Sequence, residues 1–159
     1  AIRRLSNAPR DERRLGFYDR QENRLLLENG GPKVPVYAML IHELIRCWQY
    51  TDLPMPSLKR LRVFRKDAQL LQQLLEAHAS LVEVETMRLQ HEKLYADRQE
   101  QMLLKRSDGY GKAYRFLRNR FDERRSEDSS VNAVSFMKQF AEDLVKDQES
   151  LGWDNEKKS

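Results

Sequence analysis

The chain has 159 residues, of which 40% are hydrophobic and 34% are charged, and its formal net charge is +4. This length supports one hydrophobic core, and we predict a single domain over residues 16–150, with a basic arm at 1–15 and a flexible tail at 151–159. No apolar run approaches the roughly 18 residues of a transmembrane helix, which excludes a membrane-spanning segment.

Cys47 is the only cysteine, so an internal disulfide and a cysteine-based metal cluster are both excluded. A lone cysteine fits a reducing compartment or a protein that is indifferent to its redox state, and an intracellular or organellar location is favoured. The chain begins at Ala1 rather than Met, so any targeting peptide is expected to have been removed.

The N-terminal residues combine an arginine-rich arm with the pattern of a β-hairpin. The first 14 residues contain five arginines and no periodicity, which indicates an extended arm or a short irregular helix. In the segment GFYDRQENRLLLEN, the polar cluster DRQEN separates two short apolar stretches. This pattern predicts a hairpin with strands near 16–19 and 24–28, and the following GGPKVP ends it.

Helical patterns fill the middle of the chain. Residues 35–50 carry apolar side chains at intervals of three and four, which predicts an amphipathic helix with Pro35 near its first turn. The segment TDLPMPS, at 51–57, is predicted to end this helix. Residues from about 67 to 105 contain no Gly or Pro, which predicts one long helix or two helices with a break near His91.

Two further helices are predicted towards the C terminus. The segment SDGYG, at 107–111, is expected to form a turn before a helix that the charged segment DERRSEDSS closes. Ser130 is predicted to cap a last amphipathic helix. The predicted fold class is therefore α+β and mainly α, with a small N-terminal β-hairpin.

The helix at 35–50 contains the segment HELIRCWQ, at 42–49. In an HExxH motif, two His residues four positions apart share a helix face and bind one metal ion, while the Glu activates the bound water. Here His42 and Glu43 are in place, but Arg46 stands where the second His belongs. A guanidinium group has only hydrogen-bond donors, so Arg46 cannot act as a normal zinc ligand.

Several segments in the same order resemble the zincin-type metallopeptidases, in particular gluzincin-like bacterial proteins with the motifs HExxHxxQ and, on a later helix, LxEGxA. The matching segments are HELIRCWQ at 42–49 and LLEAHASLVE at 74–83. The strand pair before the first helix and the segment DGYGKAYRFLRNRF, at 108–121, also resemble these proteins. The resemblance covers residues 16–121.

The resemblance implies a degenerate minimal zincin-like core with extra C-terminal helices. In it, His42 matches the first zinc ligand, Glu43 the general base, and Glu76 the third, carboxylate ligand. A zinc site normally needs three protein ligands, so the implied metal position is empty and no cofactor is expected. We expect the Arg46 guanidinium to replace the ion and to bind Glu43 or Glu76. His78 lies about 200° from Glu76 around the helix axis and is not expected to supply the missing ligand.

Three functions remain open from the sequence. The first is a catalytically inactive metallopeptidase-like protein that acts as a structural or binding subunit, with protein partners in a larger assembly. The second is an active zinc metallopeptidase with a non-standard ligand set and zinc as its cofactor. The third is an RNA-contacting component of a ribonucleoprotein, because basic clusters in the arm and at 59–66 could bind RNA or another anionic surface.

Overall fold

The computed structural model describes residues 3–4, 16–19, 21–22, 24–27 and 33–147. Most of the predicted arm and the whole predicted tail lie outside these residues. The described part of the chain is mainly helical, as predicted. Its elements, in chain order, are β1 (Arg3–Arg4), β2 (Gly16–Asp19), β3 (Arg24–Leu27), α1 (Lys33–Asp52), α2 (Met55–Arg60), α3 (Arg62–Lys66), α4 (Ala68–Leu89), α5 (Lys93–Leu104), α6 (Gly109–Glu127) and α7 (Ala133–Asp147).

The predicted hairpin is present as β2 and β3, which pair antiparallel with Gly16 opposite Leu27. The Asp19 carboxylate accepts hydrogen bonds from the backbone N–H groups of Gln21 and Glu22, at 3.0 and 3.3 Å, and so stabilises the turn. The sequence did not predict β1, which adds a third strand parallel to β3. Both β2 and β3 contact α1, so the small sheet lies against the helix that carries the HELIR segment.

The segment between α1 and α4 differs from the prediction, because it contains two short helices in addition to the proline-rich break. Pro54 precedes α2, and Pro56 occupies its first turn, where a missing backbone N–H costs nothing. The apolar side chains of this segment are buried, which anchors both short helices to the core. These buried residues are Leu53, Met55, Leu58, Leu61, Val63 and Phe64.

Helix α4 is the centre of the molecule and contacts α1, α3, α5, α6 and α7. All six residues at 77–82 are buried, so this helix is covered on every side. Asp67 caps its N terminus by accepting a hydrogen bond from the Gln69 backbone N–H at 3.0 Å. The helices α1, α5 and α6 all pack against α4, so α4 positions their side chains relative to one another.

The predicted helical stretch at 67–105 forms two helices, α4 and α5, with a break at His91. This confirms the prediction of two helices over the alternative of one long helix. His91 has a φ of 63°, in the left-handed region that ends many helices. The backbone N–H of Glu92 donates to the Met87 carbonyl at 2.9 Å, and that of His91 donates to the Arg88 carbonyl at 3.2 Å. This is a Schellman motif, with His in the position that glycine usually occupies.

Two predicted details near the C terminus are wrong. Asp108 caps α6, so Gly109 and Gly111 lie inside the first turn of the helix and not in a preceding turn. At its other end, α6 continues through Glu127, into the segment DERRSEDSS that was predicted to end it. Helix α7 is capped by Asn132 instead of Ser130. The Asn132 side chain accepts from the Ser135 N–H at 2.9 Å, while the Ser130 hydroxyl donates to Asp128 at 2.6 Å.

None of the helices in the described part of the chain has the length and hydrophobicity that crossing a membrane requires.

Gly111 provides a test of how α6 begins. A Cβ atom at this position would lie 2.3 Å from the backbone carbonyl oxygen of Arg106, which cannot move without disturbing the turn. We expect Gly111→Ala to lower the free energy of unfolding by about 2 kcal/mol in urea denaturation. Gly109→Ala is the matched control, because its Cβ would meet only the movable end of the Gln73 side chain. Equal losses from both variants would contradict this account of Gly111.

Candidate functional site

Three polar residues of α1 face α4: His42, Arg46 and Gln49. They follow one another at intervals of four and three, so they share one helix face. Arg46 and Gln49 are buried, with exposed fractions of 7% and 0%. Buried charged and amide groups are costly unless they are fully hydrogen-bonded, so their partners define the site.

Glu76 and Glu83 of α4 supply the negative charge. They are seven residues apart, which places them two turns apart on the same helix face. Glu76 lies at the position that the resemblance assigns to a zinc ligand. The sequence analysis missed Glu83, although its spacing from Glu76 was a usable signal.

His42 lies between these two carboxylates. Its Nε2 atom is 2.9 Å from Glu76 Oε2, and its Nδ1 atom is 3.3 Å from Glu83 Oε2. Burial disfavours the imidazolium form, but the hydrogen bonds and charges of Glu76 and Glu83 outweigh burial and raise the pKa of His42 to about 9. At neutral pH the ring is therefore charged and donates both of its N–H groups.

Arg46 binds the other oxygen of Glu76, with its Nε atom 2.9 Å from Glu76 Oε1. The rest of the guanidinium donates to Gln49 Oε1 at 2.6 Å and to Gln72 Oε1 at 3.1 Å. The predicted contact between Arg46 and Glu76 is therefore present. The Glu76 carboxylate thus binds two cations of α1, His42 and Arg46. The buried charge of Arg46 is matched by hydrogen-bond acceptors on both α1 and α4.

A second set of hydrogen bonds continues from Gln49 to α7. The Gln49 amide nitrogen donates to the Leu75 carbonyl and to His78 Nδ1, both at 2.8 Å. His78 Nε2 then donates to the Ala133 carbonyl at 2.9 Å. Complete burial lowers the pKa of His78 to about 4, so this ring is neutral. His78 is bonded to Gln49 and α7, which agrees with the expectation that it does not supply a ligand beside Glu76.

Glu43 is half-buried on α1. The next residue along a helix is rotated by about 100°, so Glu43 follows His42 on a different side of α1. The assignment of Glu43 as a vestigial general base remains a prediction.

A cleft of about 340 Å³ opens beside His42, between α1 and α5. Its polar lining includes His42, Glu83, and the Ser80 and Tyr110 hydroxyls, which are hydrogen-bonded to each other. Burial and the charge of Glu83 raise the pKa of Tyr95 to about 12, and its hydroxyl bonds to the same carboxylate. His42, Glu83, Ser80 and Tyr110 are thus already partnered within the protein.

The arrangement does not fit a zinc ion. A zinc-binding His must offer an unprotonated nitrogen, whereas both nitrogens of His42 are occupied by carboxylates on opposite edges of the ring. The Arg46 guanidinium adds a fixed positive charge beside Glu76, the other candidate ligand. Within the described residues, no three His, Cys, Asp or Glu side chains form a group that could hold a metal ion.

Comparison with known proteins does not assign the chain to a family. No protein-family model matches it, and neither a curated protein nor a solved structure does so. The zincin-like resemblance therefore remains a prediction from the sequence motifs.

The raised pKa of His42 predicts how stability depends on pH. Because the folded pKa of about 9 exceeds the ordinary value of 6.5, the stabilisation is complete below about pH 6.5 and is lost as the pH rises through about 9. The free energy of unfolding should fall by at most about 3 kcal/mol over this interval. Urea denaturation across the interval measures the change.

His42→Gln is the control for this titration, since an amide does not gain a proton. The variant should be less stable at neutral pH and should lose the part of the pH dependence that belongs to His42. A wild-type His42 signal that titrates at or below pH 6.5 in NMR would contradict the doubly bonded imidazolium.

Proposed function

We propose that this protein is a non-hydrolytic, zincin-like protein in which Arg46 takes the place of a catalytic metal ion, and that it acts as a structural or binding subunit of a protein assembly. The observation that carries the proposal is the buried Arg46 guanidinium, 2.9 Å from the Glu76 carboxylate that also binds His42. The motif resemblance assigns all three positions to a zinc site, and the contacts among them are those of a closed ion-pair cluster.

The chemistry of the cluster argues against hydrolysis. A metallopeptidase needs a Lewis acid that lowers the pKa of a bound water and polarises the peptide carbonyl. Arg46 carries a positive charge but has no vacant orbital for water, and its donors are already bonded to protein acceptors. His42 is protonated at neutral pH, so it cannot serve as a general base either.

A binding role is supported by apolar side chains that remain exposed on α4 and α5. Leu94 and Met102 of α5 are exposed by 66% and 64%, and Leu89 at the end of α4 by 77%. Single exposed apolar residues are ordinary, but three on one end of α4 and the following helix offer contacts to a protein partner.

The alternative of an active zinc peptidase has less support. It requires His42 to lose its proton and release at least one carboxylate, and it requires a third ligand that the described residues do not place beside Glu76. It also requires a metal ion to bind next to the Arg46 guanidinium, against electrostatic repulsion.

Restoring the second His tests the proposal. We expect Arg46→His to bind one zinc ion per chain at micromolar free zinc, because His42, the new imidazole and Glu76 would then supply three ligands. Metal analysis and calorimetric titration measure binding. Arg46→Gln is the matched control, since it removes the cation without adding a zinc ligand, and it should remain free of zinc like the wild type.

Two results would overturn the proposal. One is stoichiometric zinc in the wild-type protein that is lost in both His42→Gln and Glu76→Gln. The other is chelator-sensitive peptidase activity of the wild type that Glu43→Gln abolishes. If Arg46→His folds but binds no more zinc than Arg46→Gln, Arg46 does not occupy a metal position.

A further inference from the structure

Helices α2 and α3 carry a dense set of exposed cations on the opposite side from their buried apolar residues. We call this set the α2–α3 basic surface. All of its members are exposed, and none of them forms an ion pair among the described residues: Lys59, Arg60, Arg62, Arg65 and Lys66.

This surface accounts for the basic character of the whole chain. Its five positive charges lie within eight residues, and residues 53–66 contain no Asp or Glu. The formal net charge of the entire chain is +4, so the remaining residues together are close to neutral. Such local concentration produces a strong positive potential, whereas charges interspersed along the chain would largely cancel.

Favourable interactions with the helix dipoles explain only part of this clustering of basic residues. Lys59 and Arg60 lie in the last turn of α2, and Arg65 and Lys66 in the last turn of α3, where cations interact favourably with the helix dipole. Arg62, however, is the first residue of α3, where the same dipole disfavours a cation. Helices of six and five residues also gain little from such interactions, and the five like charges repel one another.

We propose that the α2–α3 basic surface binds the phosphate backbone of double-stranded RNA. Phosphodiester backbones bind clustered Lys and Arg side chains through charge and counterion release, without needing apolar contacts. A membrane needs a second anchor for stable attachment, and none of the exposed large apolar residues of the described chain lies at 53–66. Phe64 is buried, so the surface offers no aromatic ring on which unpaired bases could stack.

The size of the surface favours RNA duplexes over DNA duplexes. The five cations lie within eight consecutive residues, at the end of α2 and along α3, which meet at Leu61, so they form a short patch and not a long groove. In A-form RNA the major groove is deep and narrow, which brings the phosphates of the two strands close together. A compact patch can then contact both strands at once.

The binding surface lies on different elements from His42, Arg46 and Glu76. The RNA proposal therefore goes beyond the proposed function and does not depend on it. Zinc in the wild-type protein would remove the proposed function and leave RNA binding unchanged. Loss of RNA binding would leave the metal experiment unaffected.

Fluorescence anisotropy with a labelled RNA duplex tests the proposal. Replacing all five residues of the surface by Gln should weaken binding at least about 30-fold, because the phosphate contacts are lost. For the wild type, the slope of the logarithm of the binding constant against the logarithm of salt concentration should lie between about −3 and −4.5. The slope for the five-residue variant should approach zero.

The matched control replaces five exposed basic residues elsewhere by Gln, which changes the net charge by the same amount. These residues lie on α5 and α7 and in the loop after α5: Lys93, Arg98, Lys105, Lys138 and Lys146. Binding by the control variant should stay within about threefold of the wild type, and circular dichroism should show that both variants are folded.

Several outcomes would overturn the proposal. Equal weakening by the two variants would mean that net charge alone drives binding. Equally tight binding of a DNA duplex of the same sequence would remove the assignment to RNA. Surface-dependent binding to phosphatidylserine vesicles, with none to the RNA duplex, would identify a membrane as the partner. Absence of binding to the duplex at low salt would end the proposal altogether.

Discussion

The packing of α1 against α4 depends on neutralising the buried guanidinium of Arg46. An unpaired buried charge costs several kcal/mol, so α1 can pack against α4 only if α4 presents an acceptor at that place. Glu76 does so with one oxygen and binds His42 with the other. Because Glu76 remains partly exposed, it keeps its charge without the full cost of burial. The register of the two helices follows from this pairing.

The pairing belongs to a longer chain of hydrogen bonds that joins α1, α5 and α7 to α4. It runs, in order, through Tyr95, Glu83, His42, Glu76, Arg46, Gln49, His78 and the Ala133 carbonyl. Every group in it is satisfied by another protein group, which makes the arrangement rigid. A catalytic site needs an unfilled coordination position or a free base, whereas a scaffold needs closed contacts. The contacts around His42 are of the second kind, and this supports a binding role over a hydrolytic one.

Sequence reasoning reached the features that depend on local spacing. The hairpin and the long helices follow from periodicity, whereas the pairing of Arg46 with Glu76 was an expectation that the motif resemblance implied. It missed Glu83, although the seven-residue spacing places this carboxylate on the same face of α4 as Glu76. It also missed α2 and α3, since two prolines were taken as a break although proline is compatible with a first helical turn. The cap at Asn132 was misplaced because three polar residues in that loop can cap a helix and tertiary packing selects one.

A double-mutant cycle between Arg46 and Glu76 tests the central claim most directly. The free energy of unfolding is measured for the wild type, Arg46→Gln, Glu76→Gln and the double variant, at a pH where His42 is protonated. The account predicts a favourable coupling of about 1–3 kcal/mol, so that the double variant is clearly more stable than the sum of the single losses implies. Additive losses, with a coupling near zero, would show that Glu76 does not hold the Arg46 cation and would contradict the account.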